Sequence, residues 1–292
     1  MSSSDTVLPG GHVVGLGETR RPDKWWVGPL LTVSFIGVAI GYGTIAMLMG
    51  NHYWVGAEGH GFGGYLSPLY SPVLMFDASA AGAAPASHAW FGAFPEWYPS
   101  LLPKSPAFLI LLFPGAFRFT CYYYRKAYYR SFGFAPPGCA VEGVRRGKYE
   151  GETKLFLFQN LHRYAMYFAV IFNIILTYDA VMSFFRDGAL GIGVGSVVLT
   201  INATLLAFYT FGCHSFRHLI GGRANCFTCD GKETLSSKAW SFGTFFNQRH
   251  MQIAWVSLAW VMFTDLYVRM VSMGIWTDFN TWGEAATKTV GL

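Results

Sequence analysis

The sequence predicts an all-α integral membrane protein, a bundle of five transmembrane helices with a cytoplasmic N-terminus. Three observations predict it. Of 292 residues, 52% are apolar and only 13% are charged, a balance far from that of a soluble domain. Apolar runs recur at lengths that cross a ~30 Å hydrocarbon layer. Sixteen of the twenty-one Lys and Arg lie in the N-terminal tail and in residues 118–154 and 211–249, which a five-span count places on one face. Excess cations mark the inside loops of a membrane protein, so this face is expected to be cytoplasmic.

Taken in order, residues 1–24 are a polar tail that ends in Arg20, Arg21 and Lys24, followed by Trp25 and Trp26. An aromatic pair at the mouth of an apolar run marks a headgroup boundary. The first span is 27–50, free of charge. Residues 51–104 are rich in Gly, Pro and aromatics, carry Lys104 as their only Lys or Arg, and read as an excursion on the outer face. The second span is 106–120, closed by the tyrosine- and cation-rich FRFTCYYYRKAYYR. The third is 156–185, the fourth 189–212 with small and β-branched residues, and the fifth 245–268. Residues 121–154 and 213–244 are then cytoplasmic loops within a single membrane domain, 1–292.

The five cysteines form no secreted disulfide framework, and the N-terminus MSSSDTVLPGGHV lacks a basic-then-apolar signal. The net charge of +5 is explained by positive-inside loops that meet membrane lipid. Nucleic acid is not an expected partner.

The chemistry concentrates in FGCHSFRHLIGGRANCFTCD, residues 211–230. His214 and His218 stand four apart, which puts both imidazoles on one helical face. Cys226 and Cys229 follow across a Gly-Gly turn as C-x-x-C. Two nitrogens and two sulfurs suit a tetrahedral zinc or a Rieske-type 2Fe-2S cluster, and the spacing leaves both open. Cys213 adjoins His214 but lies about 100° around the helix from it. One of the two therefore packs, with His214 the better ligand and Cys213 and His250 the alternatives. A disulfide is not expected on a reducing inside face.

His162 and His250 open the third and fifth spans, beside Arg163 and Arg249. Such groups either snorkel to the interface or, with Tyr164 or Trp255, line a quinone pocket in which an imidazole donates to a carbonyl and delivers a proton. Asp179 and Asp265 fall toward the outer half of their spans, where ionisable groups are costly. No haem is expected: none of the eight His, at 12, 52, 60, 88, 162, 214, 218 and 250, lies in the middle of a span.

Five spans and the FGCHSFRHLIGGRANCFTC segment resemble the single-chain membrane anchor of actinobacterial succinate dehydrogenase, respiratory complex II, most strongly from His162 to Arg269. The resemblance implies a multi-pass protein of the bacterial plasma membrane. Its implied partners are a flavoprotein subunit that oxidises succinate and an iron-sulfur subunit docked on the cytoplasmic face. It also implies that electrons enter this chain and reduce menaquinone. Better-known anchors of this architecture carry two haems on four mid-helix His, which this chain does not match. Zinc accepts no electron, so within the resemblance the four-ligand set is expected to hold the cluster.

Overall fold

The computed structural model describes residues 15–56, 64–144, 155–186, 188–221, 226 and 234–282. Four helices are long and apolar enough to cross a membrane: α1 Val27–Met49, the 157–182 stretch of α5 Leu155–Met182, α6 Val194–Phe211 and α9 His250–Ser272. At ~1.5 Å per residue, the 23 residues of α1 reach about 35 Å, enough for the hydrocarbon layer. These four match the first, third, fourth and fifth predicted spans, with ends moved by a few residues.

The second predicted span differs. Residues 106–120 form two short helices, α2 Pro106–Ile110 and α3 Leu112–Thr120, interrupted at Leu111. Pro114 is the reason, because its ring nitrogen has no proton to donate to the carbonyl of Ile110. A further break at Cys121 precedes α4 Tyr122–Ala127, which runs into a π-helical turn, Tyr128–Phe132. Among the described residues, then, four helices have spanning length, and the stretch expected to be the second span is segmented.

The predicted loop after the fourth span is also helical where it is described. It contains α7 His214–Gly221 and α8 Leu235–Asn247. Thr234 caps α8 by accepting from the Ser237 amide at 3.1 Å, satisfying one of the amides a helix start leaves without an intrahelical partner. Gln248 and Arg249 separate α8 from α9, so the fifth span starts at His250 and not at 245.

The chain divides into two compact units, residues 1–40 with 118–161, and residues 41–117 with 162–292. In the first, the segment before α1 clips onto the 139–142 turn: the Gly17 amide donates to the Glu142 carbonyl at 2.9 Å and Arg21 Nη1 to the Cys139 carbonyl at 2.9 Å. Arg21 also pairs with Asp23 at 2.5 Å.

The second unit holds two apolar clusters. In one, the 51–104 segment folds on itself around Tyr53, Trp54, Tyr70 and Val73 and covers Ala46 near the end of α1. Gly50 makes the corner between them in the left-handed region, φ +61°, with Ser105 Cβ 3.1 Å from where its own Cβ would be. Only glycine takes both without strain. In the other, Ala180, Val198, Leu199, Ala203, Val268 and Val271 join α5, α6 and α9. Gly195 lets α6 start against the Tyr65 ring, since a Cβ there would enter the ring.

Polar groups inside this unit are held by one another. Asp265, fully buried on α9, accepts from Tyr42 Oη at 2.5 Å and from Ser67 Oγ, and pairs with Arg269 at 3.6 Å. Arg269 donates in turn to the Asn51 carbonyl at 2.9 Å, to Asn51 Oδ1 at 3.1 Å and to Tyr70 Oη at 3.1 Å. Asp278 accepts from Tyr65 and Tyr267, both at 2.8 Å, and from the Gly195 amide at 2.9 Å. Asp265, whose role the sequence left open, is thus a structural tie between α9, α1 and the 51–104 segment.

Removing one partner of a buried pair leaves an uncompensated charge, a loss of about 3–5 kcal/mol. Arg269→Met is therefore expected to lower the unfolding free energy in detergent by that amount, and Asp265→Leu/Arg269→Met to recover part of it. A single-variant loss under about 1 kcal/mol, the range of exposed pairs, would show that the pair does not hold the segment.

Candidate functional site

At the end of the second unit where α5 and α9 begin and α6 finishes, four aromatic rings form a continuous row. His162 on α5 stacks on Phe117 of α3, with centroids 4.7 Å apart and planes 6° from parallel. Phe117 meets Tyr209 of α6 edge to face at 5.2 Å. Tyr209 stacks on His250, the first residue of α9, at 5.0 Å and 6°. Phe117, Tyr209 and His250 are each no more than 3% exposed. The two imidazoles are thereby fixed in plane by their neighbours.

Cys213 completes this group. It is 1% exposed, is not disulfide-bonded, and places Sγ 3.3 Å from His162 Nε2. The Ser215 amide donates to the same sulfur at 3.2 Å. The junction of two helices sets this position. α6 ends at Phe211, Gly212 caps it, and α7 starts a new axis at His214. Cys213, between the two, turns inward, and His214, one residue on, is exposed.

The sequence-predicted ligands are distributed differently. His214 and His218 lie on α7 four residues apart as expected, and both are exposed. Partial desolvation at the protein surface, and then the charge of Arg217, hold the His214 imidazole below its ordinary pKa. Arg217 itself is spent on structure: it donates to Asn247 Oδ1 at 2.9 Å, and its guanidinium lies over the Trp240 ring at 4.4 Å, tying α7 to α8. Cys226 is exposed and disulfide-bonded, where a reduced thiol was expected. Cys229 lies outside the described residues. As arranged, no three His, Cys, Asp or Glu side chains among the described residues stand close enough together to hold an ion.

Of the residues read as a quinone pocket, His162 and His250 belong to the aromatic row, and Trp255 is half-buried. Tyr164 is 66% exposed, and Arg163 and Arg249 are exposed, with Arg249 lying over the Phe245 ring at 4.8 Å. Phe117 and Tyr209 were not singled out in the sequence. Their only signal there is a position near the same helix ends as His162, Cys213 and His250.

Three comparisons bear on identity. Residues 27–274 match the family model described as actinobacterial succinate dehydrogenase subunit SdhC. The fold is similar to a chain of the Mycobacterium smegmatis Sdh1 complex in the apo form, with a TM-score of 0.75 and 38% identity, covering 93% of this chain and 96% of that one. Among curated proteins there is no match. The four apolar helices, with this family, make the protein a multi-pass component of the plasma membrane. It partners other subunits of its complex and does not itself oxidise succinate. The chain belongs to the actinobacterial succinate dehydrogenase subunit SdhC family and is the membrane anchor of such a complex.

Proposed function

We propose that the chain passes electrons from an iron-sulfur subunit, docked with its flavoprotein partner on the cytoplasmic face, through a Rieske-type 2Fe-2S cluster to menaquinone. One observation carries the reading: the buried Cys213 thiol in contact with the half-buried His162 imidazole, in one row with the buried His250. Polar and ionisable groups set within a membrane bundle mark functional sites by default.

The donor chemistry fits the group. It is the donor types and not their present arrangement, in which these side chains do not converge on one ion, that suit it: His162 and His250 would supply the two nitrogens and Cys213 one sulfur, with the second sulfur from one of the remaining cysteines. This set is preferred to His214, His218, Cys226 and Cys229, because those His are exposed and Cys226 is disulfide-bonded. When bound, such a cluster supplies a one-electron carrier whose imidazole ligands raise its potential above that of an all-cysteine cluster. Phe117 and Tyr209 clamp the imidazoles and exclude water, which limits reorganisation around the site. Arg163 and Arg249, exposed beside the two His, favour a cytoplasmic placement by the positive-inside rule. Trp255, half-buried one turn into α9, offers an aromatic wall for the quinone ring nearby.

The test is low-temperature EPR of the purified complex reduced with succinate. His162→Ala/His250→Ala is expected to remove a Rieske-type signal and succinate-to-quinone transfer while leaving succinate oxidation by a soluble dye. His214→Ala/His218→Ala is expected to keep the signal. The reverse pattern would move the ligand set to α7, and zinc without extra iron would replace the electron carrier with a zinc-stapled scaffold.

Labelling gives an independent check on burial. Cys139, exposed, is expected to react with a maleimide in the native chain, while Cys213 reacts only after denaturation. Rapid native labelling of Cys213 would contradict the buried donor set.

A further inference from the structure

The last part of the 51–104 segment has a surface unlike that of a loop in water. Phe91, Trp97 and Leu101 are 71%, 79% and 93% exposed, and Trp90 is 60% exposed. Between residues 89 and 105 the charged residues are Glu96 and Lys104 alone. Turns in water favour Gly, Asn, Asp and Ser. Here two turns carry large apolar side chains instead.

The backbone holds these side chains outward. The Tyr98 amide donates to the Pro95 carbonyl and the Leu102 amide to the Pro99 carbonyl, both at 3.0 Å, which closes two successive turns. Trp97 takes the third position of the first turn and Leu101 the third position of the second. Tyr98 braces the pair: its ring meets Phe94 edge to face at 4.8 Å, and its hydroxyl donates to the Pro103 carbonyl at 3.2 Å. Upstream, the Trp90 amide donates to the carbonyl of the buried Val73 at 3.0 Å, so the stretch is tied to the packed part of the segment. Pro95, Pro99 and Pro103 have no amide proton, which lowers the number of backbone donors that would have to leave water.

Two contacts place this stretch beside the bilayer. Trp90 lines one cleft with Ile174 and Tyr178 of α5. Those two are 66% and 49% exposed on a helix of spanning length, and Ile174 is about 12 Å short of the helix end at Met182, at ~1.5 Å per residue. The segment thus descends along the apolar side of the span. Farther on, Ser105 packs against Gly50, the residue after α1. Leu101, four residues before Ser105, lies within about 14 Å of it even if the chain is fully extended, so the turns stay near the level at which α1 ends.

We propose that residues 90–102 form a lipid-binding foot, with Trp90, Phe91, Trp97 and Leu101 set into the boundary between headgroups and acyl chains of the leaflet at this end of the bundle. Aromatic side chains gather at that boundary. The turns stop there and go no deeper, because irregular backbone facing lipid is not tolerated in the hydrocarbon core. Phospholipid is the occupant because the strip continues the lipid-facing side of α5 and offers a soluble partner almost no charge to pair with. With Arg163 and Arg249 exposed beside the opposite ends of α5 and α9, the foot sets how deep the bundle sits.

The test uses the complex purified with its partner subunits in nanodiscs of phosphatidylcholine and phosphatidylglycerol. The photoactivatable residue p-benzoylphenylalanine replaces Trp97, Leu101 or, as a lipid-facing reference, Ile45, which is 61% exposed on α1. After illumination, mass spectrometry is expected to find the peptides that hold positions 97 and 101 heavier by one phospholipid, as for the reference. The two positions are separate variants, so one that fails to assemble leaves the other to decide. Peptides that stay unmodified at 97 and 101 while the reference is labelled would place the turns in water and overturn the proposal. Cross-links from these positions to a partner subunit or to a second copy of this chain would overturn it as well, by showing protein where lipid is expected.

Discussion

A bilayer offers no water to satisfy a polar group, and that constraint shapes both ends of this bundle. At one end the answer is internal. Asp265, Arg269 and Asp278 are each enclosed by tyrosines, a serine, an asparagine or a backbone amide from other segments. These ties convert a long Gly- and Pro-rich excursion into an ordered cap on α1, α5, α6 and α9. At the other end, Cys213, His162 and His250 are gathered with aromatic rings.

The two ends divide the work of an anchor. Small and β-branched residues along α6 allow close packing against α9, and Trp260 Nε1 bonds the Val198 carbonyl at 3.1 Å to fix their register. A rigid pair of helices keeps Tyr209 and His250 stacked, and α5 brings His162 to the same level. Precision at the donor site is thus a consequence of helix packing many residues away.

The membrane class and most of the spans were legible in the sequence because apolar length and cation asymmetry are averages over many residues. The second span was less so, since Pro114 interrupts a run whose composition alone looks continuous. The family was legible in one segment, FGCHSFRHLIGGRANCFTC. Which of its residues are buried was not, because neighbouring residues at a helix junction differ in direction by a local break. α6 ends at Phe211, two residues before Cys213, so the thiol is buried and His214, opening α7, is exposed. The partnership of Cys213 with His162, fifty-one positions away, depends on packing that no local pattern encodes. Asp265 and Asp278 are similar: Tyr42 and Ser67 reach the first, and Tyr65 and Gly195 the second, from segments far off in the sequence.

The donor set at the α5–α9 end is most directly tested by nitrogen hyperfine spectroscopy on the reduced complex, with histidine alone labelled with ¹⁵N. The account predicts strong coupling from two imidazole nitrogens to an iron-sulfur spin that none of the soluble subunits' centres supplies. An anchor whose only metal is zinc, or a spectrum with no histidine nitrogen coupled to iron, would contradict it.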